Sequence, residues 1–593
     1  MSDIVKATPV LEGTVFSTVP YRHQLVAYEK LKNEKFFALF MEMGLGKSKV
    51  AIDIAVHKYE KGQIDAVLVI APNMVHEQWA TEQIPTHCSI PYHNFVWYAS
   101  RANRRQYQFQ MENFMLEERK LKFFMVNVET FQSESVIPHI IEYVKNNEVF
   151  TIVDESTRIK TPTAKRTKTV TKLNKYGQRC ILSGTPVAKS PFDLYAPFNF
   201  LKNDFFGVNY FIFKHRFGVM MKGINEYTGK SYTKLIDEKK FNIVKSKVNN
   251  ILAEKRMISM NMEEGLSSDD YEMISAITSV SEKNIKFIEK HESFTRFKRL
   301  DELKTAIDPY TFSVKKADLH EFDNINYDYL NVPSLPPFPD KVYVCEYVRM
   351  SKEQLKIYNE LKKHLLAEYG GQELSVQNKV SLTIRLRQVT GGYFPYEEES
   401  EKMLNYVKVP FMKKQSLMIG KSNVKMDRIH ELLEEIGDES VIIWASFVAE
   451  IEAIYAELKN NYSCELYYGK TSKKERARIK KDFMDKKFQI FIGNPSVAGF
   501  GLNLQVSTIQ LWYSNSYKTE DRLQAEDRSH RIGTTDNVLY KDIIAKGTLD
   551  EKIYKAIREG RELNDYFSQT SLEDLLTPEE EENELVEKEN GAV

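Results

Sequence analysis

The chain has 593 residues, of which 42% are hydrophobic and 12% aromatic, so it can bury several cores and is not a largely disordered chain. At about 100–200 residues per domain, three or four units are expected. Lys+Arg and Asp+Glu each number 83, which excludes bulk positive charge as the basis for binding nucleic acid; any basic surface must be local and offset by acid elsewhere.

The opening stretch, MSDIVKATPVLEG, has no apolar signal core, and no run approaches about 18 uninterrupted apolar residues. Neither an export signal nor a membrane span is expected. Cys88, Cys180, Cys345 and Cys464 lie far apart without a C-x-x-C pair, which argues against a zinc ribbon and suits a reducing cytosol.

From about residue 20 to 205 the pattern alternates between buried strands and helices. The runs AVLVIAP (66–72), KFFMVNV (122–128), FTIVDE (150–155) and RCILSGTP (179–186) each end in a turn or a polar group. Such runs predict a mostly parallel sheet covered on both faces, with ligand-binding groups at the carboxyl ends of its strands. From about 206 to 415 the chain is rich in Lys, Glu, Asn and Tyr and reads as largely helical. SKEQLKIYNELKKHLLAEY (351–369) has clear helical spacing, and NVPSLPPFPDK (331–341) reads as a proline-rich connector. From about 416 to 570 the alternation returns, with SVIIWAS (440–446), CELYYG (464–469), QIFIGNP (489–495) and TIQLWYS (508–514) as strands and SKKERARIKKDFMDK as a helix. Ser571–Val593 carries nine Asp/Glu and one Lys, too acidic to fold alone.

The organisation expected is therefore α/β: a first domain over 1–215, helical insertions and a linker over 216–415, a second α/β domain over 416–570, and an acidic tail over 571–593.

Three patterns carry chemistry. In MEMGLGKSK (Met41–Lys49), Gly44, Leu45 and Gly46 form a tight loop whose backbone N–H groups can face phosphate. Lys47 would reach the outer phosphates of ATP, and Ser48 would hold Mg²⁺. Met41 stands where the longer form of this loop has glycine, and a plain glycine turn before a helix is the alternative. In FTIVDESTRIK, Asp154 can hold Mg²⁺ and Glu155 can activate the attacking water. In QAEDRSHRIG, Arg528 and Arg531 are spaced to share one helical face. Arginines on a separate lobe can stabilise charge on the transferred phosphoryl group, which suggests two lobes closing on ATP and reopening after hydrolysis. Arg158, Lys160, Lys165, Arg166 and Lys168 form a basic run, and Arg101, Arg104 and Arg105 another. Each is a phosphate-contacting track or a solvated basic face.

Together these motifs resemble the Swi/Snf family of superfamily 2 helicase-like ATPases, over roughly residues 20–205 and 300–560. PYRHQ (20–24) resembles its adenine-recognising segment, with Gln24 as the key residue. MEMGLGKS, VLVIAPNMVHEQWATE (67–82, with Trp79 and Glu82), VDESTRIKTPTAKR (153–166) and LSGTPVAKSPFDLYAPFNFL (182–201) follow in the family's order. LRQVTGG (386–392), VIIWASF (441–447), GNPSVAGFGLNLQ (493–505) and QAEDRSHRIG complete the series.

The resemblance implies two RecA-like domains, a role for Gly501 at the nucleotide, and Pro72, Asn73, Thr130, Lys160 and Arg166 along DNA. It also implies a DNA-stimulated ATPase of bacterial or bacteriophage size. Thr157 replaces the family's usual His, Thr534 its usual Gln, and the A-G-F-G-L-N motif is one residue short.

Three functions are compatible with this sequence. One is a DNA translocase or helicase in replication, recombination or repair. Another is a remodeller that displaces a protein complex such as RNA polymerase. The third is a nucleotide-gated binding protein, which the intact Lys47, Asp154, Glu155, Arg528 and Arg531 disfavour.

Overall fold

A computed structural model describes residues 16–576, apart from 133–135, 185–189, 225–230, 237, 259–265, 292–293, 324–332, 334, 337, 370–375, 405–406, 421, 499–501, 517, 561–565 and 567–569. The chain divides into two compact units, Met1–Leu335 and Pro336–Val593.

In the first unit, β1 (Phe36–Met41), β2 (Ala66–Ala71), β3 (Tyr92–Val96), β4 (Leu121–Asn127), β5 (Val149–Val153) and β6 (Gln178–Ser183) are followed by a hairpin, β7 (Met220–Ile224) and β8 (Ser231–Leu235), and then by β9 (Thr311–Val314). Seven of these make one parallel sheet in the order β3-β4-β2-β5-β6-β1-β9. The inner strands, such as AVLVIA and VFTIV, are buried along their whole length, as a sheet covered on both faces requires. Parallel pairing needs crossover connections, and the helix Lys47–Glu60 supplies the first of them, directly after β1. One consequence decides the location of the chemistry. The carboxyl ends of β2, β5, β6 and β1 lie side by side, so segments far apart in sequence meet along one edge.

The described residues between 219 and 294 build a satellite on this unit, while the helix Tyr210–Phe217 packs Phe213 and Phe217 into the unit's main core. The β7–β8 hairpin and the helices Glu238–Ile258, Ser268–Thr278 and Glu282–Glu289 close over a core of their own, with Val219, Phe241, Val244, Ile274 and Ile285 at its centre.

In the second unit, β10 (Lys341–Val348) comes first, then β11 (Tyr393–Leu404) and β12 (Val407–Met418), then β13 (Val441–Trp444), β14 (Cys464–Tyr467), β15 (Ile490–Gly493), β16 (Ile509–Trp512) and β17 (Val538–Ala545). Six form a parallel sheet in the order β10-β17-β16-β13-β15-β14. The two RecA-like α/β units expected from sequence are thus both present.

The middle of the chain differs from the sequence expectation. It is not one helical segment between boundaries at 215 and 416. Its Thr311–Val314 strand completes the edge of the first sheet, and its Lys341–Val348 strand the edge of the second. It also contains β11 and β12, an antiparallel ribbon rather than helix. Of the proline-rich connector, residues 331, 332, 334 and 337 lie outside the described residues. The acidic tail lies outside them from residue 577 on, while its start is not tail but a short helix, Leu572–Leu576, with its leucines buried. Among the described residues no helix is long and apolar enough to cross a membrane.

Candidate active site

The first unit's site starts at the end of β1. Gly44 and Gly46 have φ of 84° and 88°, a left-handed backbone that favours glycine, and they turn the chain from strand to helix within five residues. Gly46 caps the helix Lys47–Glu60 without a side chain, so the first-turn N–H groups are left to an incoming anion.

The loop is gripped from behind. The Gln24 amide donates to the Leu45 carbonyl at 3.0 Å, and its oxygen accepts from the Tyr21 N–H at 3.0 Å. A β-carbon on Gly46 would come within 2.3 Å of that amide nitrogen. His23 Nε2 also lies 3.0 Å from the Leu45 carbonyl. A carbonyl only accepts, so His23 carries its proton on Nε2. Burial lowers its pKa and favours the neutral ring. Sequence reasoning passed over His23, although it adjoins Gln24.

Lys47 Nζ donates to the Met41 carbonyl at 2.8 Å, which places its charge over the end of β1. Beyond β6, a β-carbon on Gly184 would meet Met43 Cγ at 3.0 Å and Lys47 Nζ at 3.4 Å, so the LSG segment approaches the Gly44–Gly46 loop closely and a larger residue there would have to push the Met43 side chain aside. Ser48 occupies the first turn of the same helix.

Asp154 follows β5 and is 7% exposed. Its Oδ2 accepts from the Trp79 indole N–H at 2.9 Å and its Oδ1 from the Glu155 N–H at 2.9 Å. Burial raises its pKa, opposed by the Trp79 hydrogen bond and the nearby Lys47 charge. Glu155 has φ of 49°, a left-handed conformation uncommon outside glycine and a form of backbone strain that gathers at functional sites. The Ser48 hydroxyl and the Asp154 carboxylate are hard oxygen donors of the kind that suit Mg²⁺ held mainly through phosphates, with the Lys47 ammonium nearby for the phosphates themselves. Trp79 is the member whose role the sequence did not disclose, because its partner is 75 residues away.

In the second unit, the helix Thr519–Glu526 ends before either arginine. Arg528 and Arg531 therefore share no helical face. They converge by a turn instead, reaching the same Leu502 carbonyl at 3.0 and 2.9 Å. The Leu504 N–H donates to the Arg528 carbonyl at 3.1 Å, so the segment 502–505 is stitched to the arginine turn. Gly501 lies outside the described residues.

The expected DNA-contacting residues sit on the first unit. Pro72 and Asn73 follow β2, and Thr130 lies in the turn Val128–Gln132 after the neighbouring β4. Pro72 is buried, and its carbonyl accepts the His76 N–H; Asn73 is exposed. The helix Lys165–Thr171, which carries Arg166, packs on the Val128–Gln132 turn. Among the described residues Arg166 Nε is buried without a hydrogen-bond acceptor. Lys160 is bound to Asp193 at 3.2 Å, which offsets its charge. Lys168 lines a groove of about 420 Å³ with Lys172 and Lys175.

The SNF2-related domain family matches residues 27–309, and the helicase conserved C-terminal domain family matches residues 424–533. The chain belongs to the Swi/Snf family of superfamily 2 helicase-like ATPases. A Xenopus tropicalis protein, SWI/SNF-related matrix-associated actin-dependent regulator of chromatin subfamily A containing DEAD/H box 1, is 25% identical over 524 residues, covering 87% of this chain and 47% of that protein. An uncharacterized ATP-dependent helicase of Mycoplasma genitalium is 25% identical over 258 residues, covering 41% of this chain and 23% of that one. The chain spans less than half the length of the curated relatives it first matches. A solved Sulfolobus solfataricus SWI2/SNF2 ATPase core in complex with double-stranded DNA is 20% identical, covers 96% of this chain and 98% of that chain, and has a TM-score of 0.35.

Two departures from the Swi/Snf pattern have a visible local setting. Thr157 is buried in the turn Ser156–Ile159, just after the acidic pair. Thr534 accepts the Arg531 N–H at 3.2 Å and donates to the Ser529 carbonyl at 2.6 Å, so it closes the arginine turn with its own hydroxyl.

Proposed function

We propose that the chain is a DNA-stimulated ATP hydrolase that moves along DNA in replication, recombination or repair. The observation that carries this reading is the meeting of the Lys47 loop and the Asp154–Glu155 turn on one sheet edge of a Swi/Snf chain. The loop N–H groups and Lys47 hold the ATP phosphates, and Gln24 keeps the loop in shape beneath them. Ser48 and Asp154 would hold Mg²⁺, which would supply charge neutralisation on the phosphates. Glu155 orients and deprotonates the attacking water. Arg528 and Arg531 of the second unit are assigned to turnover, and Gly501 to the nucleotide, although Gly501 lies outside the described residues.

DNA runs over the turns carrying Asn73 and Thr130, with Pro72 shaping the first turn and Lys160 and Arg166 meeting phosphates. Such contacts carry no sequence information. The four free thiols fit a reducing cytoplasm, in a bacterial or bacteriophage-infected cell.

The test is ATP turnover with no nucleic acid, duplex DNA, single-stranded DNA and RNA, each over a salt series. Duplex DNA of any sequence should stimulate turnover, and the stimulation should fall steeply as salt rises, because counterion release dominates phosphate contacts. Equal turnover in all four conditions would refute the reading.

A further inference from the structure

The segment between the DNA-side turn and the acidic pair is unusual in its backbone. Met74 has φ of 70°, and the short helix Val75–Gln78 runs straight into a π-turn, Trp79–Gln83. π-Turns inside helices cost hydrogen-bond regularity and recur at functional sites. Here the π-turn begins at Trp79, whose ring is fully buried and whose indole N–H meets Asp154 Oδ2 at 2.9 Å.

The path from the turn to the carboxylate is short and continuous. Asn73 Oδ1 accepts the Met74 N–H at 3.1 Å; the Pro72 carbonyl accepts the His76 N–H and the Met74 carbonyl the Gln78 N–H, both at 3.2 Å. On the far side the Asn94 amide donates to the Ala80 carbonyl at 3.2 Å and anchors the π-turn to β3. The Asp154 N–H in turn donates to the Ile70 carbonyl at 2.8 Å, two residues before Pro72. Asp154 is thus tied to both ends of the Pro72–Trp79 segment: through its backbone to β2, and through its side chain to the indole. A shift of the turn moves the indole, and a moved indole changes the direction of Oδ2.

We propose that Trp79 is a positioning residue that transmits the state of the Pro72–Asn73 turn to the Asp154 carboxylate, so that DNA on the turn orients the metal-holding oxygen. This rests on the function proposed above. It adds a physical route by which DNA accelerates hydrolysis within the first unit alone.

The chain has four tryptophans, so 5-fluorotryptophan labelling of the full protein gives four fluorine signals in NMR. The Trp79 signal is assigned by its broadening with Mn²⁺–ADP. It should then move on adding duplex DNA without nucleotide. Trp79→Phe keeps an aromatic ring and removes the donor. It should raise the Mg²⁺ concentration for half-maximal turnover by about 10-fold or more, the usual range for losing a partner of a metal ligand. It should also cut the DNA-stimulation ratio while leaving KM for ATP at saturating Mg²⁺ within about twofold. If wild-type turnover is stimulated by DNA but the Trp79 signal does not respond to that bound DNA, the proposal is overturned. The same holds if Trp79→Phe keeps the wild-type Mg²⁺ requirement and stimulation. If no signal broadens with Mn²⁺–ADP, or DNA never stimulates the wild type, the underlying function fails instead. The wild-type NMR result decides the matter even where Trp79→Phe does not fold.

Discussion

Each unit buries a charged side chain near the carboxyl edge or flank of its parallel sheet, and the two are treated in opposite ways. Arg522 in the second unit is fully buried, yet it is in contact with two carboxylates, Glu526 at 2.7 Å and Asp542 at 2.5 Å, and lies 3.7 Å over the Trp512 ring. Lys341 and Arg558 add further charge against Glu526. That cluster is neutralised from within and builds the unit. Asp154 in the first unit receives neutral donors, the Trp79 indole and a backbone N–H. Its negative charge is held in place but not cancelled by contact, which is the condition for offering it to a cation. The difference separates charges that stabilise a fold from charges kept for chemistry.

The sharpest way to break this comparison is at Lys47. Removing its ammonium should abolish hydrolysis in Lys47→Ala while the second unit's charge cluster stays intact. Steady-state turnover with DNA is the measurement, and wild-type activity would mean the phosphate loop is not one. Arg531→Ala comes next, with a loss in kcat of roughly 10³-fold, in the range known for arginines that stabilise phosphoryl transfer. ATP affinity should change far less, because the gain is realised in the transition state. Arg531→Lys should rescue poorly, since an ammonium lacks the planar fork. Near-normal turnover in Arg531→Ala would remove the second unit from the catalytic account.

Arg522→Ala tests the other side. It strips a fully buried cation from two carboxylates and should cost about 3–5 kcal/mol of stability. The loss should appear as reduced protection of β16 and β17 amides against hydrogen exchange. First-unit protection should be unchanged. An effect on ATP binding larger than the effect on protection would mean that Arg522 is a functional arginine rather than a structural one.

Much of this was legible in the sequence because parallel strands buried on both faces read as short apolar runs. AVLVIA, VFTIV and VIIW stand in the structure where the pattern put them. The edge strand β10 hid because partial burial breaks that run: KVYVCEYV mixes exposed and half-buried positions, whereas CELY, also at an edge, was read as a strand. The strand YFPYEEESEKML read as part of a largely helical middle because of its run of glutamates. Its backbone instead pairs antiparallel with the next strand, from Tyr393 opposite Met418 to Leu404 opposite Val407. At the site, glycines and acids announced themselves by spacing. Trp79 and His23 did not, since each acts through a partner distant in sequence, Asp154 and Leu45. The arginine pair was recognised by its residues but not by its geometry: the helix stops at Glu526, and a turn brings the guanidinium groups together.

The smallest expected effect is the most diagnostic of that turn. Thr534 stands where the family usually has Gln, and its hydroxyl makes two hydrogen bonds that close the turn around Arg531. Thr534→Val keeps the shape and removes both. At about 0.5–1.5 kcal/mol for a typical hydrogen bond, DNA-stimulated turnover should fall by roughly 2- to 10-fold, with ATP binding unchanged. Thr534→Gln should retain most activity, because its amide offers both an acceptor and a donor. The decisive form is a double-mutant cycle. If Thr534 acts by presenting Arg531, then Thr534→Val in the Arg531→Ala background should cost nothing more, since there is no guanidinium left to present. An equal fall in both backgrounds would show that Thr534 stabilises something other than the arginine. The closed turn would then be a fold element like Arg522 rather than part of the chemistry.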